Sequence, residues 1–150
     1  VTVFECALAG EQGEVRFTVD LDTMNRIAVV SDQNVRMVRQ ERLDSLIGSS
    51  QPVMIKVDVE GAEEGVLHGA AGLLASSCLK VIELETVTSE SAHILKKNEF
   101  ERAYYDPFNH RLDREPIDLR SSNSLFVRDW PFVATRLATG EKVEVFDRRI

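Results

Sequence analysis

The sequence predicts an α/β fold, a mostly parallel sheet with helices on both faces. Three stretches carry that prediction. Residues 53–59 form a nearly continuous β-branched run, as in a strand covered on both faces. Residues 62–76 follow at once and place Ala62, Val66, Leu67, Ala70, Leu73 and Leu74 at helical spacing. Residues 79–85 are a second strand of the buried type.

The other elements follow from the same periodicities. Residues 1–4 are a short β-rich run, read as a strand that stops before Glu5-Cys6-Ala7-Leu8. After a turn at Gly13, Val15, Phe17 and Val19 alternate with polar neighbours, the pattern of a half-exposed strand. Residues 27–30 suggest a further short strand. A second exposed strand through Val35, Met37 and Arg39 is expected to pair with the first. Residues 42–47 read as helical turns ended by Gly48. A helix is expected over residues 89–97, with Asn98 as its left-handed C-terminal residue. Short runs follow at 101–105 and 124–128. Residues 1–128 are thus read as one domain. Residues 129–150, around Trp130-Pro131, are set apart as a C-terminal extension of no assigned structure.

Composition narrows the functions available. A chain of 150 residues can bury roughly 70% of its unfolded surface and so hold a real core. The net charge of −7 argues against nucleic-acid binding, which needs a basic patch. No stretch approaches the ~20 apolar residues of a membrane span. Cys6 and Cys78 have no CxxC spacing, so reduced thiols and a cytoplasmic location are expected.

The chemistry concentrates where the first buried run meets its helix, at Asp58-Val59-Glu60-Gly61-Ala62-Glu63. Open α/β sheets place ligands at such strand ends. Lys56 and Asp58 share a strand face by the two-residue period and are placed to pair. At 100° per residue, Glu63 falls inside the apolar arc of Val66, Ala70 and Leu73 and points inward. A second reading makes Glu60 and Glu63 ordinary partners of a helix N-terminus, worth about 0.3–1 kcal/mol each. Gly61, Gly65, Gly69 and Gly72 recur along one helical stripe, which suggests tight helix-on-sheet packing. His68, His93 and His110 show no ligand spacing, and Asp58 with Glu85 would leave a cation's shell incomplete, so no metal site is expected. Tyr104, Tyr105, Phe108 and Trp130 are either an aromatic wall or ordinary core and edge residues.

Residues 55–70, IKVDVEGAEEGVLHGA, resemble the signature of the FkbM-type methyltransferases, I-K-I-D-V-E-G-A-E followed by V-L-x-G-A. The flanks agree. ECALAGEQGEVRF resembles the family's third-strand segment, Leu43-Asp44-Ser45-Leu46 its LD-x-L, Ile82-Glu83-Leu84-Glu85 its fifth strand, and Asn123-Ser124-Leu125-Phe126-Val127 a late strand. The resemblance implies a class I methyltransferase (Rossmann-like) fold with strand order 3-2-1-4-5-7-6. It also implies methyl transfer from S-adenosyl-L-methionine to a hydroxyl of a sugar, glycolipid or polyketide-like small molecule. On that basis Cys6, Ala7, Leu8 and Asp58 are expected at the cofactor, and Asp58, Glu60, Glu63 and Glu85 at the reacting groups.

One departure stands out. No glycine-rich turn follows a strand within these residues, so the fold is expected to lack its first two strands and the chain to be inactive as written. The family's fourth strand would then expose a hydrophobic edge open to self-association. The alternative function is a non-catalytic remnant that binds partners through that edge.

Overall fold

A computed structural model describes residues 1–117 and 123–140, together with the backbone of residues 144–145 and 148–149. Two main sheets organise them. The smaller joins β1 (Ala7–Leu8), β2 (Gly13–Thr18) and β3 (Val35–Glu41) in the order β1-β3-β2. The larger contains β4 (Met54–Val57), β5 (Val81–Leu84), β6 (Glu101–Asp106), β7 (Arg111–Asp113) and β8 (Ser124–Val127), ordered β4-β5-β8-β6-β7. A further antiparallel pair joins β9 (Glu144–Val145) and β10 (Arg148–Arg149).

The sheets are not mostly parallel. Among the described residues, parallel pairing is confined to β1 with β3 and β4 with β5. Insertion of β8 between β5 and β6 makes both of its own pairings antiparallel. The two alternating strands pair as expected, Val15 opposite Val38. The run at 27–30 contributes only an isolated bridge from Ile27 to Phe17.

Residues 1–4 are not a strand. They are exposed coil, with Val3 81% and Phe4 50% accessible, and ladder pairing begins only at Ala7. A β-rich run becomes a strand only where a neighbour satisfies its N–H and C=O groups. No strand pairs with residues 1–4 among the described residues.

Nor are residues 53–59 covered on both faces. β4 pairs with β5 alone, and Val53 and Met54 are about half exposed, at 46% and 48%. Among the described residues β4 is an edge strand of the larger sheet.

The helices lie on both faces of the larger sheet. On one face, Ile82, Leu84 and Phe126 meet Val66, Leu67, Leu73, Leu74 and Leu95 in the main core. On the other, Ala103 and Val127 meet Val133 of α5 (Trp130–Thr139), with Trp130 and Leu137 beside it. The segment set apart as an extension thus supplies a packed helix. Asp129 starts it, its Oδ1 accepting from Phe132 N–H and its Oδ2 pairing with Lys80 at 2.6 Å.

The helical run at 62–76 has the predicted buried stripe but is two helices, α2 (Glu63–Gly69) and α3 (Ala71–Ala75), divided at Ala70. Asp44, in α1 (Leu43–Ile47), supports the division. Its carboxylate accepts from Gly72 N–H at 2.8 Å and Leu73 N–H at 2.9 Å. These are orphan donors of the new helix start, and Asp44 caps them from a distance. Asp44→Ala is expected to destabilise the chain by about 1 kcal/mol, the usual worth of an N-cap, read by urea denaturation. Asp44→Asn keeps only one of the two acceptor oxygens and should retain only part of that stability.

Asn98 is not left-handed. It closes α4 (Ser89–Lys97) at φ −96°, and the left-handed residue is Glu99 at φ 65°. Phe100 N–H then bonds Leu95 C=O and Glu99 N–H bonds Lys96 C=O, the paired bonds of a Schellman end. Burying Phe100, 3% exposed, fixes the position of the turn one residue later than side-chain propensity indicates.

Candidate functional site

The parallel register that aligns Val57 with Leu84 brings the next residues, Asp58 and Glu85, to the same sheet end. Lys56, one pleat earlier on β4, points its Nζ at Asp58 Oδ2, 2.8 Å away, as the two-residue period anticipated. Asp58 is half exposed there. It is held below the usual carboxylate range, first by Lys56 and then by a hydrogen bond with Glu85.

Glu85 is affected in the opposite sense. Its carboxyl is pushed up by the contact with Asp58, by the charge on Glu60 and by burial. Glu85 Oε2 is buried and meets no hydrogen-bond partner among the described residues, so ionising this group would strand charge in a dry place. For an acid whose value is raised in the fold, the contribution to stability is full at low pH and is lost as pH rises through the raised value. Glu85→Gln is therefore expected to flatten the fall in stability of the chain above the ordinary glutamate range, seen as a difference between the two pH–stability curves.

The turn between β4 and α2 is set by backbone. Glu60 at φ 48° and Gly61 at φ 91° are consecutive left-handed residues, and at Gly61 a side chain would be strained. This turn sends Glu63 back beneath the strand end. Glu63 is 3% exposed, as its inward helical position predicts, and its Oε1 accepts from Gly61 N–H at 3.4 Å.

Cys6, Ala7, Leu8, Asp58 and Glu60 line one cavity of about 260 Å³. Residues from distant parts of the sequence therefore meet where β1 and β4 end. Glu63 and Glu85 stand behind this lining rather than in it. The cavity's other wall is Phe17, Thr23, Asn25 and Ile27, which the sequence reading did not single out. The alternation that made Phe17 a strand residue was a usable signal for it. Nothing local marks Thr23 or Asn25.

Gly69 holds β1 in place. A Cβ there would lie 2.1 Å from the carbonyl oxygen of Ala9, the residue following β1. The glycine stripe thus has the packing explanation at this position.

The aromatic residues divide. Tyr104, Tyr105 and Phe108 line a second cleft of about 390 Å³ with Glu83, Arg102 and Asn123. Trp130, the first residue of α5, lies apart from them, packed against Ala103, Val127 and Val133 with the Arg114 guanidinium 4.3 Å from its ring centre. Among the described residues, no three His, Cys, Asp or Glu side chains gather as a metal site, and no helix is long and apolar enough to cross a membrane.

No curated protein and no solved structure matches the chain. The model of the methyltransferase FkbM domain matches residues 6–107, more than half of the chain, and that span includes β1, the β4–α2 turn, Glu85 and the cavity between them. The chain belongs to the FkbM methyltransferase family.

Proposed function

We propose that the chain carries the acceptor side of an S-adenosyl-L-methionine-dependent O-methyltransferase acting on a hydroxyl of a sugar, glycolipid or polyketide-like small molecule. The observation that carries this reading is the meeting of Asp58, paired with Lys56, with the cavity wall of Cys6, Ala7 and Leu8. The order β4-β5-β8-β6 supports a partial class I methyltransferase fold, because it repeats the 4-5-7-6 end of that order with the antiparallel strand in its expected place.

The cavity suits the cofactor in chemical character. Ala7, Leu8, Phe17 and Ile27 offer an apolar wall for a base, and the acids Asp58 and Glu60 suit a positively charged centre. When bound, S-adenosyl-L-methionine supplies a methyl group on positive sulfur and leaves as the neutral thioether. Asp58 orients the acceptor hydroxyl and takes its proton as the oxygen is alkylated. Glu60 and Glu63 shape the turn that holds Asp58 at the cavity. We read residues 1–128 as the domain, a reading supported by the place of β8 in the middle of the larger sheet.

Titration calorimetry with S-adenosyl-L-methionine and S-adenosylhomocysteine tests the reading. These 150 residues contain no glycine-rich turn after a strand, so no micromolar binding is expected from them alone. Binding and methyl transfer are expected once a strand and glycine-rich turn are supplied at the free edge of β4. In that form Asp58→Asn should slow transfer by about 10²-fold or more. Absence of cofactor binding in that form would refute the reading. The alternative, an interaction module, draws on the exposed Val53 and Met54 at the β4 edge. It predicts concentration-dependent association that persists in Asp58→Asn and disappears when Met54 is replaced by lysine.

A further inference from the structure

We propose that the cleft lined by Tyr104, Tyr105 and Phe108 binds a sugar ring, in a fork of the larger sheet at the same end as Asp58. The fork follows from the register. β6 pairs with β8 through Glu101, Arg102 and Ala103, opposite Val127, Phe126 and Leu125. Its remaining residues, Tyr104 to Asp106, pair with β7 instead. The ladder between β6 and β8 thus ends at Ala103 and Leu125, which both line the cleft of about 390 Å³ that opens there. β5 and β6 are both antiparallel to β8 and so run in one direction. The fork therefore opens at the end of the sheet where Asp58 and Glu85 follow β4 and β5. Glu83, in the lining, is the cross-strand partner of Lys56. Neighbouring strands lie about 4.8 Å apart, so one strand spacing separates the cleft from the Lys56–Asp58 pair.

The lining combines an apolar face with fixed polar groups. Buried Asp106 accepts from Phe108 N–H at 2.9 Å and from Asn109 N–H at 3.2 Å, which fixes the turn that carries Phe108. Phe108 itself is half exposed at the cleft. Glu83 Oε1 accepts from Asn123 Nδ2 at 2.5 Å, and Arg102 Nη2 donates to Ser124 Oγ at 3.1 Å. The Arg102 guanidinium also lies 5.7 Å from the centre of the Tyr104 ring. A carboxylate has more lone pairs, and a guanidinium more N–H groups, than these contacts use. The charges of Glu83 and Arg102 offset one another, which favours a neutral ligand over a phosphorylated one. A purely apolar chain would cover both polar groups without serving them, at a cost. A sugar answers both halves of the lining. Its C–H face packs on an aromatic ring, while its hydroxyls donate to the carboxylate and accept from the guanidinium. That the bound sugar is the methyl acceptor rests on the function proposed above. The binding itself does not.

NMR titration of the ¹⁵N-labelled full chain with methyl glycosides of glucose, galactose, mannose and rhamnose tests the site. Saturable shifts at Tyr104, Tyr105, Phe108 and Asn123 are expected with at least one of them. Phe108→Ala should weaken that binding about tenfold, the upper worth of one aromatic contact. Phe108→Trp keeps an aromatic face and should retain it. Phe108 is half exposed on a turn, so both variants are expected to fold. Absence of saturable shifts with every glycoside, or equal affinity in Phe108→Ala and wild type, would overturn the proposal. So would shifts at the cleft caused by decanoate or inorganic phosphate but by no glycoside. Failure of the methyltransferase reading would appear separately, as absence of cofactor binding in the completed form with the glycoside shifts intact.

Discussion

Arg128→Met is expected to destabilise the chain by about 3–4 kcal/mol, with a fall in Tm on the order of 10 °C. Few side chains here join so many separate parts of the fold. The Arg128 guanidinium donates to Leu79 C=O at 2.7 Å, Leu74 C=O at 3.0 Å and Asn98 C=O at 3.2 Å, and also to Ser76 C=O. It lies 4.5 Å from the centre of the Phe100 ring. The Leu74, Ser76 and Asn98 carbonyls lie at the ends of α3 and α4, where no N–H of the helix remains to serve them, and that of Leu79 lies two residues before β5. Methionine fills much of the volume but donates nothing, so half-buried acceptors lose their partner together. Arg128→Lys should recover only part of the loss, because an ammonium cannot reproduce the planar fork. Thermal and urea denaturation of the three chains gives the ranking. Equal stability of Arg128→Met and wild type would show that water serves these carbonyls as well.

The second large effect is a difference of sign within one helix. Gly69→Ala is expected to destabilise by about 2–3 kcal/mol, and Gly65→Ala to be neutral or stabilising by up to about 1 kcal/mol. At Gly69 the new Cβ would stand 2.1 Å from Ala9 O, 3.1 Å from Ala9 C and 3.4 Å from Arg42 Cα. All three are backbone atoms, so β1 must move. At Gly65 the nearest atom, Ala9 Cα, lies 3.7 Å away, which is ordinary contact. Alanine's better helix propensity then decides the outcome. Because Cys6, Ala7 and Leu8 line the cavity, Gly69→Ala should also disturb the site, while Gly65→Ala should leave it intact. Denaturation midpoints check the first claim, and the chemical shifts of residues 6–8 check the second.

What the sequence determined by itself was local and periodic. The buried stripe of Val66, Leu67, Ala70, Leu73 and Leu74, the inward position of Glu63 and the pairing of Lys56 with Asp58 all follow from residue spacing within one element. The motif around Asp58 also marked the family correctly. What only the tertiary structure decided depends on neighbours that are far away in sequence. Residues 1–4 lacked a ladder partner and stayed coil. Asp44 capped a helix start from 28 residues away, and Ala70 became a boundary between two helices. Burial of Phe100 moved the left-handed turn from Asn98 to Glu99. The cavity wall at Thr23 and Asn25 and the carbonyls gathered by Arg128 carry no local signature at all. Periodicity reports which face of an element is apolar. It does not report which backbone groups another element will satisfy, because that depends on long-range packing that spacing along the chain does not encode.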